Sequence, residues 1–251
     1  MKNKIALITG ATSGIGRATA KVFANNNIDL ILCGRRTDRL ENLRLELSTF
    51  VKVHILQFDI RDKDTVLEAI KTLPEEFKKI NILINNAGNA HGLSPIDKGD
   101  IDDWDAMMDI NVKGLLYVSK AVIPGMVQQK SGHIINIGST AGKEVYPGGN
   151  VYCASKHAVD AINQGMRIDL HAHGIRVGAV NPGLVETEFS KVRFKGDTDR
   201  ANAVYQGFTP LTPEDIAEII YFTISRPPHV NIADLIVMPT DQATSTIVNK
   251  N

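Results

Sequence analysis

The first thing missing from this chain is an imbalance of charge. Lys plus Arg and Asp plus Glu each total 28 in 251 residues, so the formal net charge is zero. A general nucleic-acid binder carries a basic excess, so no nucleic-acid partner is expected. Cysteine is scarce. Cys33 and Cys153 form neither a disulfide framework nor a metal-ligand pattern, and both read as reduced, intracellular residues. The seven histidines include no His-Glu-x-x-His, and His171 and His173 are two apart, a poor ligand pair, so no catalytic metal is expected. No apolar segment is long enough to span a bilayer. The apolar run near the N-terminus stops at Gly10, as a short buried strand does and a signal peptide does not. No repeat, low-complexity run or Gly/Ser-rich linker divides the chain, so residues 1–251 are expected to form one domain. These absences describe a soluble, cytoplasmic protein with no membrane partner.

What is present is alternation. Strand-like runs at Ile5–Thr9, Ile28–Cys33, Val51–Phe58, Ile80–Ile84, His133–Ile137, Ile175–Val180 and Leu235–Met238 alternate with helix-like segments. The helices are expected over Gly14–Asn26, Asp38–Leu47, Asp62–Leu73, one long stretch Ile101–Gln129, Val151–His173 and Ile216–Ile224. Thr212 is an N-cap and Pro213 a first helical residue for the last of these. The pattern implies an α/β fold: a single-domain, Rossmann-type, doubly wound parallel sheet of about seven strands with helices on both faces. The longest irregular stretch is Glu186–Gln206. At the carboxyl edge of such a sheet it reads as a substrate lid.

Directly after the first strand stands Thr9-Gly10-Ala11-Thr12-Ser13-Gly14-Ile15-Gly16. Three glycines permit a tight turn into a helix whose N-terminus favours a pyrophosphate, and the flanking strand and helix supply the required context. Thr12, Ser13 and Ile15 lie within that turn. Arg17 stands where a triphosphate loop requires Lys-Ser/Thr, which excludes that alternative. The second strand ends without the acid that would hold the ribose hydroxyls of NAD. It carries Arg35 and Arg36 instead, suited to a ribose 2′-phosphate and hence to NADP(H). Asp59 and Ile60 end the third strand, with Asp59 placed to accept from an adenine amino group. Asn85-Asn86-Ala87-Gly88 ends the fourth, small enough to admit a cofactor's central part.

Tyr152 and Lys156 are four apart and share one helix face. A free phenol titrates near ~10. An ammonium one turn away is expected to lower that value, making the pair an acid/base catalyst near neutrality. Ser139 follows the fifth strand, and a loop from there brings its hydroxyl beside Tyr152, giving one donor and one proton carrier for the same carbonyl oxygen.

Together these motifs resemble the short-chain dehydrogenase/reductase family over nearly the whole chain. The resemblance rests on Thr-Gly-x-x-x-Gly-x-Gly at 9–16, Asn-Asn-Ala-Gly at 85–88, Asn111, Ser139, Tyr152-x-x-x-Lys156, and Asn181-Pro182-Gly183 with Thr187. It implies that Tyr152 is the acid/base and Ser139 holds the substrate oxygen. Lys156 is then expected to bind the nicotinamide ribose, and Asn111 to support a water chain to it. Pro182, Gly183, Val185 and Thr187 are the cofactor residues it implies after the sixth strand.

Five further stretches are similar to the branch of NADP-dependent 3-hydroxy acid dehydrogenases that also oxidise serine or allo-threonine. They are 34–40, 133–142, 148–152, 189–197 and 228–232. On that resemblance the substrate is a small hydroxy acid whose β-hydroxyl lies between Ser139 and Tyr152, with reversible hydride transfer. Arg193 and Lys195 in the lid are candidates to read its carboxylate. A homotetramer is the assembly such a resemblance implies. Two other functions use the same residues: an NADPH-dependent reductase of 3-oxoacyl chains or other carbonyls, and a non-catalytic protein that senses NADP. Gly-Ser-Thr-Ala-Gly around Ser139 lacks the Gly-x-Ser-x-Gly of a hydrolase.

Overall fold

A computed structural model describes residues 4–251. Seven strands form one all-parallel sheet in the order β3-β2-β1-β4-β5-β6-β7. They are β1 Lys4–Thr9, β2 Ile28–Gly34, β3 Val53–Gln57, β4 Ile82–Asn85, β5 Gly132–Ile137, β6 Ile175–Pro182 and β7 Asp234–Val237. The expected strands are all present, with ends shifted by a few residues. The period of two sorts each strand between two cores. In β1, Ala6 and Ile8 pack with Leu30 and Leu32 of β2 under one helical layer, while Leu7 and Ile31 face the other.

Helix α1 (Gly14–Asn25), α2 (Thr37–Leu47) and α9 (Pro213–Ile224) cover the first face. Helix α3 (Lys63–Lys71), α5 (Leu115–Gln129) and α6 (Asn150–Leu170) cover the second. Helix α9 starts as its sequence predicts, with Thr212 and Asp215 capping each other and Pro213 at the first position. The order reverses between β1 and β4, and parallel strands around such a switch point leave a crevice at their carboxyl ends.

Two expectations need correction. The long stretch 101–129 is not one regular α-helix: α4 (Ile101–Met108) runs through a π-helical turn, Asp109–Gly114, into α5. A Cβ on Gly114 would lie 2.8 Å from Ile60 Cγ1, so the backbone here approaches the cleft wall too closely for any larger residue. The supposedly irregular lid holds two short helices, α7 (Phe189–Arg193) and α8 (Thr198–Ala203), the second capped by Asp197. Among the described residues, no helix is long and apolar enough to cross a membrane.

Candidate active site

The carboxyl ends of β1, β2, β4, β5 and β6 open into a cleft of about 800 Å³ that runs under the lid. It is lined by every cofactor residue expected from the sequence except Gly16. Gly16 lies behind the turn, where a Cβ would fall 2.4 Å from the Gly10 carbonyl oxygen. Gly10 itself has φ +66°, and a Cβ there would come within 3.0 Å of both Ala87 Cα and Asn86 Nδ2. This close approach is what the glycines permit. Asn86 Nδ2 donates to the Thr9 carbonyl at 2.8 Å, and the Thr9 hydroxyl accepts from the Asn86 and Ala87 backbone at 3.0 and 2.9 Å. The β4 end is thereby pinned to the glycine turn.

The donors around this turn fit a dinucleotide. Helix α1 has no acid in its first turn to occupy its N-terminus. Arg36 reaches back over the turn, with Nη2 donating to Thr12 Oγ1 at 2.8 Å and to Ser13 Oγ at 2.9 Å. No acid stands at the end of β2; Gly34 is there, its missing Cβ leaving room for Thr12 Cγ2. Arg35 is exposed and 3.7 Å from Asp59. The Asp59 carboxylate is taken mainly by Arg61, at 2.7 Å from Nη2, which holds its carboxyl below the usual range. Asp59 is therefore a wall of the cleft whose charge is already paired.

The groups expected to handle the proton sit on the other side of the switch point. Ser139 leaves β5 in extended backbone, and its hydroxyl accepts from the Ala141 amide at 3.1 Å. Tyr152 and Lys156 rise from the first two turns of α6, both buried. Lys156 Nζ donates to the Ile137 carbonyl at 2.9 Å. Burial depresses its pKa from 10.5 to about 8. The expected lowering of the phenol by Lys156 is not what the protein alone produces. Burial pushes Tyr152 upward and Tyr146 adds to it, outweighing the downward pull of the Ser139 hydroxyl and Arg193. The phenol is thus a protonated acid at neutral pH. Asn111 projects from the π-helical turn behind the cleft. Its amide donates to the Asn89 carbonyl at 2.8 Å and to Ser155 Oγ at 3.0 Å, while its oxygen accepts from Asn89 N at 2.9 Å.

The lid separates the two candidate acid readers. Lys195 is spent on Asp103 and Asp100, at 3.0 and 3.4 Å, and faces a smaller side cavity of about 270 Å³. Arg193 turns inward. Its Nε donates to the Gly92 carbonyl at 3.1 Å, and its guanidinium carbon lies 5.5 and 5.6 Å from the ring centres of Tyr146 and Tyr152. Its Nη2 is buried with no hydrogen-bond partner among the described residues. A buried guanidinium nitrogen without an acceptor is costly unless something fills it.

Sequence reasoning passed over several groups at this site. Tyr146, Phe189 and Glu188 line the cleft, and Phe189 packs edge-on against the Tyr152 ring at 5.6 Å. The C-terminal tail also lines it through Ser245, Thr246, Val248 and Lys250. The tail is tied to the loop between β5 and α6, since Ser245 Oγ donates to Glu144 at 2.9 Å. Tyr146 lies within the serine–tyrosine segment, which was the available signal. The others depend on contacts far apart in sequence.

Residues 4–198 match the family model of the short chain dehydrogenases. The NADP-dependent 3-hydroxy acid dehydrogenase YdfG of Salmonella typhi is 46% identical over 240 residues, covering 95% of this chain and 96% of that protein. Sulfoacetaldehyde reductase 2 of Chromohalobacter salexigens is 48% identical over 242 residues, covering 96% of each. Among solved structures, the closed form of serine dehydrogenase complexed with NADP+ superposes with a TM-score of 0.93 at 44% identity, covering 98% of this chain and 99% of that one.

Proposed function

The chain belongs to the short-chain dehydrogenase family, and from that premise we propose that it is an NADP-dependent oxidoreductase of small 3-hydroxy acids. The observation that carries the substrate class is Arg193, a half-buried cation beside Tyr152 whose buried Nη2 lacks an acceptor among the described residues. A carboxylate two carbons from the reacting oxygen supplies that acceptor. The 46% identical relative named for 3-hydroxy acids and the serine dehydrogenase fold match support the same reading. Support for the cofactor comes from the relative's name, from Arg36 on the glycine turn and from the lack of an acid at the end of β2.

The nicotinamide, when bound, exchanges a hydride with the substrate carbon. The chain's own residues do the rest. Ser139 and Tyr152 hold the substrate oxygen between two hydroxyls. Burial favours the protonated Tyr152 phenol, which gives its proton to the oxygen in reduction; in oxidation the phenolate form takes the proton of the substrate hydroxyl as the hydride leaves its carbon. Arg193 fixes the acid end, and Phe189 packs on the tyrosine ring and excludes water from that side. Arg193 also suits a sulfonate, and the 48% identical sulfoacetaldehyde reductase favours that as a second reading.

The test is a panel followed by absorbance of the reduced nicotinamide. Serine, allo-threonine, 3-hydroxypropionate, 3-hydroxybutyrate, 2-hydroxyethanesulfonate and a plain secondary alcohol are offered with NADP and, separately, with NAD. The expected result is turnover of the hydroxy acids with NADP and little of the plain alcohol. Best turnover of the sulfonate selects the second reading. Turnover of the plain alcohol alone rejects the acid class.

A further inference from the structure

At the mouth of the cleft, α2 and the lid meet through one carboxylate. Glu188, the residue before α7, accepts from Arg36 Nη1 at 3.0 Å through one oxygen and from Arg39 Nη1 at 2.8 Å through the other. Arg36 gives Nε and Nη2 to Thr12 and Ser13, within the turn that leads into α1. The hydrogen bonds from Arg39 and Arg36 hold the Glu188 carboxyl below its ordinary value, so it is an anion at neutral pH. Nη1 is thus the Arg36 nitrogen that makes no bond to the turn.

We propose that Glu188 is an intramolecular competitor for the ribose 2′-phosphate, occupying Arg36 until Arg39 draws it aside. This rests on the assignment of Arg36 to the 2′-phosphate subsite. A phosphate monoester carries ~1.5–2 negative charges at neutral pH. Two anions within reach of one guanidinium repel, so the carboxylate must leave Nη1 or the phosphate must bind with one donor fewer. Arg39 supplies the exit, because Glu188 already holds it through the other oxygen and keeps that bond when it lets go of Arg36. Glu188 thus weakens NADP relative to NAD, and it shortens the time the phosphorylated dinucleotide stays bound. The three side chains are each about two-fifths exposed, 39% for Arg36, 41% for Arg39 and 44% for Glu188, so the competition is screened by salt.

Calorimetric binding of 2′,5′-ADP and of 5′-ADP to the full chain tests this without turnover. Glu188→Gln is expected to tighten 2′,5′-ADP by about tenfold at low salt and leave 5′-ADP unchanged. Arg39→Ala, which leaves the carboxylate only Arg36, is expected to weaken 2′,5′-ADP, and adding Glu188→Gln to it is expected to restore binding. Unchanged or weaker 2′,5′-ADP binding by Glu188→Gln overturns the competitor and makes Glu188 an orienting partner of the arginines. Arg36→Ala separates the two levels. Loss of its preference for 2′,5′-ADP over 5′-ADP supports the subsite, and retention of that preference overturns the subsite and the competitor together.

Discussion

Lys156 shows how far a single residue's chemistry is set by its surroundings. Its place four residues after Tyr152 was legible from spacing alone, because i and i+4 always share a helix face. Its burial was not, because that depends on which strand end the helix covers. Burial lowers the ammonium pKa to about 8. The folded value lies below the unfolded one, so between pH 8 and about 10.5 the unfolded chain binds more protons, and stability rises with pH across that window. Below pH 8 the cost of burying the charge is fully present, about 3 kcal/mol. Lys156→Met removes this cost. Urea unfolding at a series of pH values is therefore expected to show the stability gap between variant and wild type closing from pH 8 upward. The raised Tyr152 pKa acts in the opposite sense above ~10, where the unfolded phenol ionises first, but it is common to both proteins and cancels in the difference. A gap independent of pH would show that Lys156 is not electrostatically strained.

At the level of elements, the sequence carried most of the sheet and its helices. Continuous apolar runs such as Ile5–Ile8 and the Thr212-Pro213 start of α9 are local signals, and both reappear in the structure. The π-helical turn carried no such signal, since one extra residue in a turn leaves the apolar periodicity of 101–129 almost unchanged. Its consequence is chemical. It turns Asn111 inward onto both backbone groups of Asn89, in the loop that follows β4. Asn111, expected to support a water chain to Lys156, holds a wall of the cleft through these bonds. Asn111→Ala removes the partner of a part-buried N–H and a part-buried C=O of Asn89 and of the buried Ser155 hydroxyl, hydrogen bonds worth about 0.5–1.5 kcal/mol each. A loss of about 2 kcal/mol or more is expected in denaturant unfolding, with faster hydrogen exchange at the Asn89 amide. A change below about 0.5 kcal/mol, typical of a surface position, would contradict this positioning role.

The whole molecule brings together what no local pattern does. Glu188 meets Arg39 across 149 residues, and Ser245 meets Glu144 across 101. Arg193 and Lys195 looked equivalent in the lid sequence, yet the fold aims one at Tyr152 and ties the other to Asp103. Most of the residues expected to line the cleft could be picked from sequence because they stand at a strand end or a helix start, and they do line it. The site was not legible in its substrate end, where the lid, α6 and the Gly92 loop converge on one guanidinium. That convergence is tested by kcat/KM for 3-hydroxypropionate and for its neutral counterpart 1,3-propanediol, in wild type and Arg193→Met. A loss of about 10- to 100-fold is expected for the acid, carried by KM, with the diol little changed, as befits one charge-assisted hydrogen-bonded pair worth ~1.5–3 kcal/mol. An equal loss for acid and diol would contradict it, leaving Arg193 as a support of the lid and of the Tyr152 ring alone.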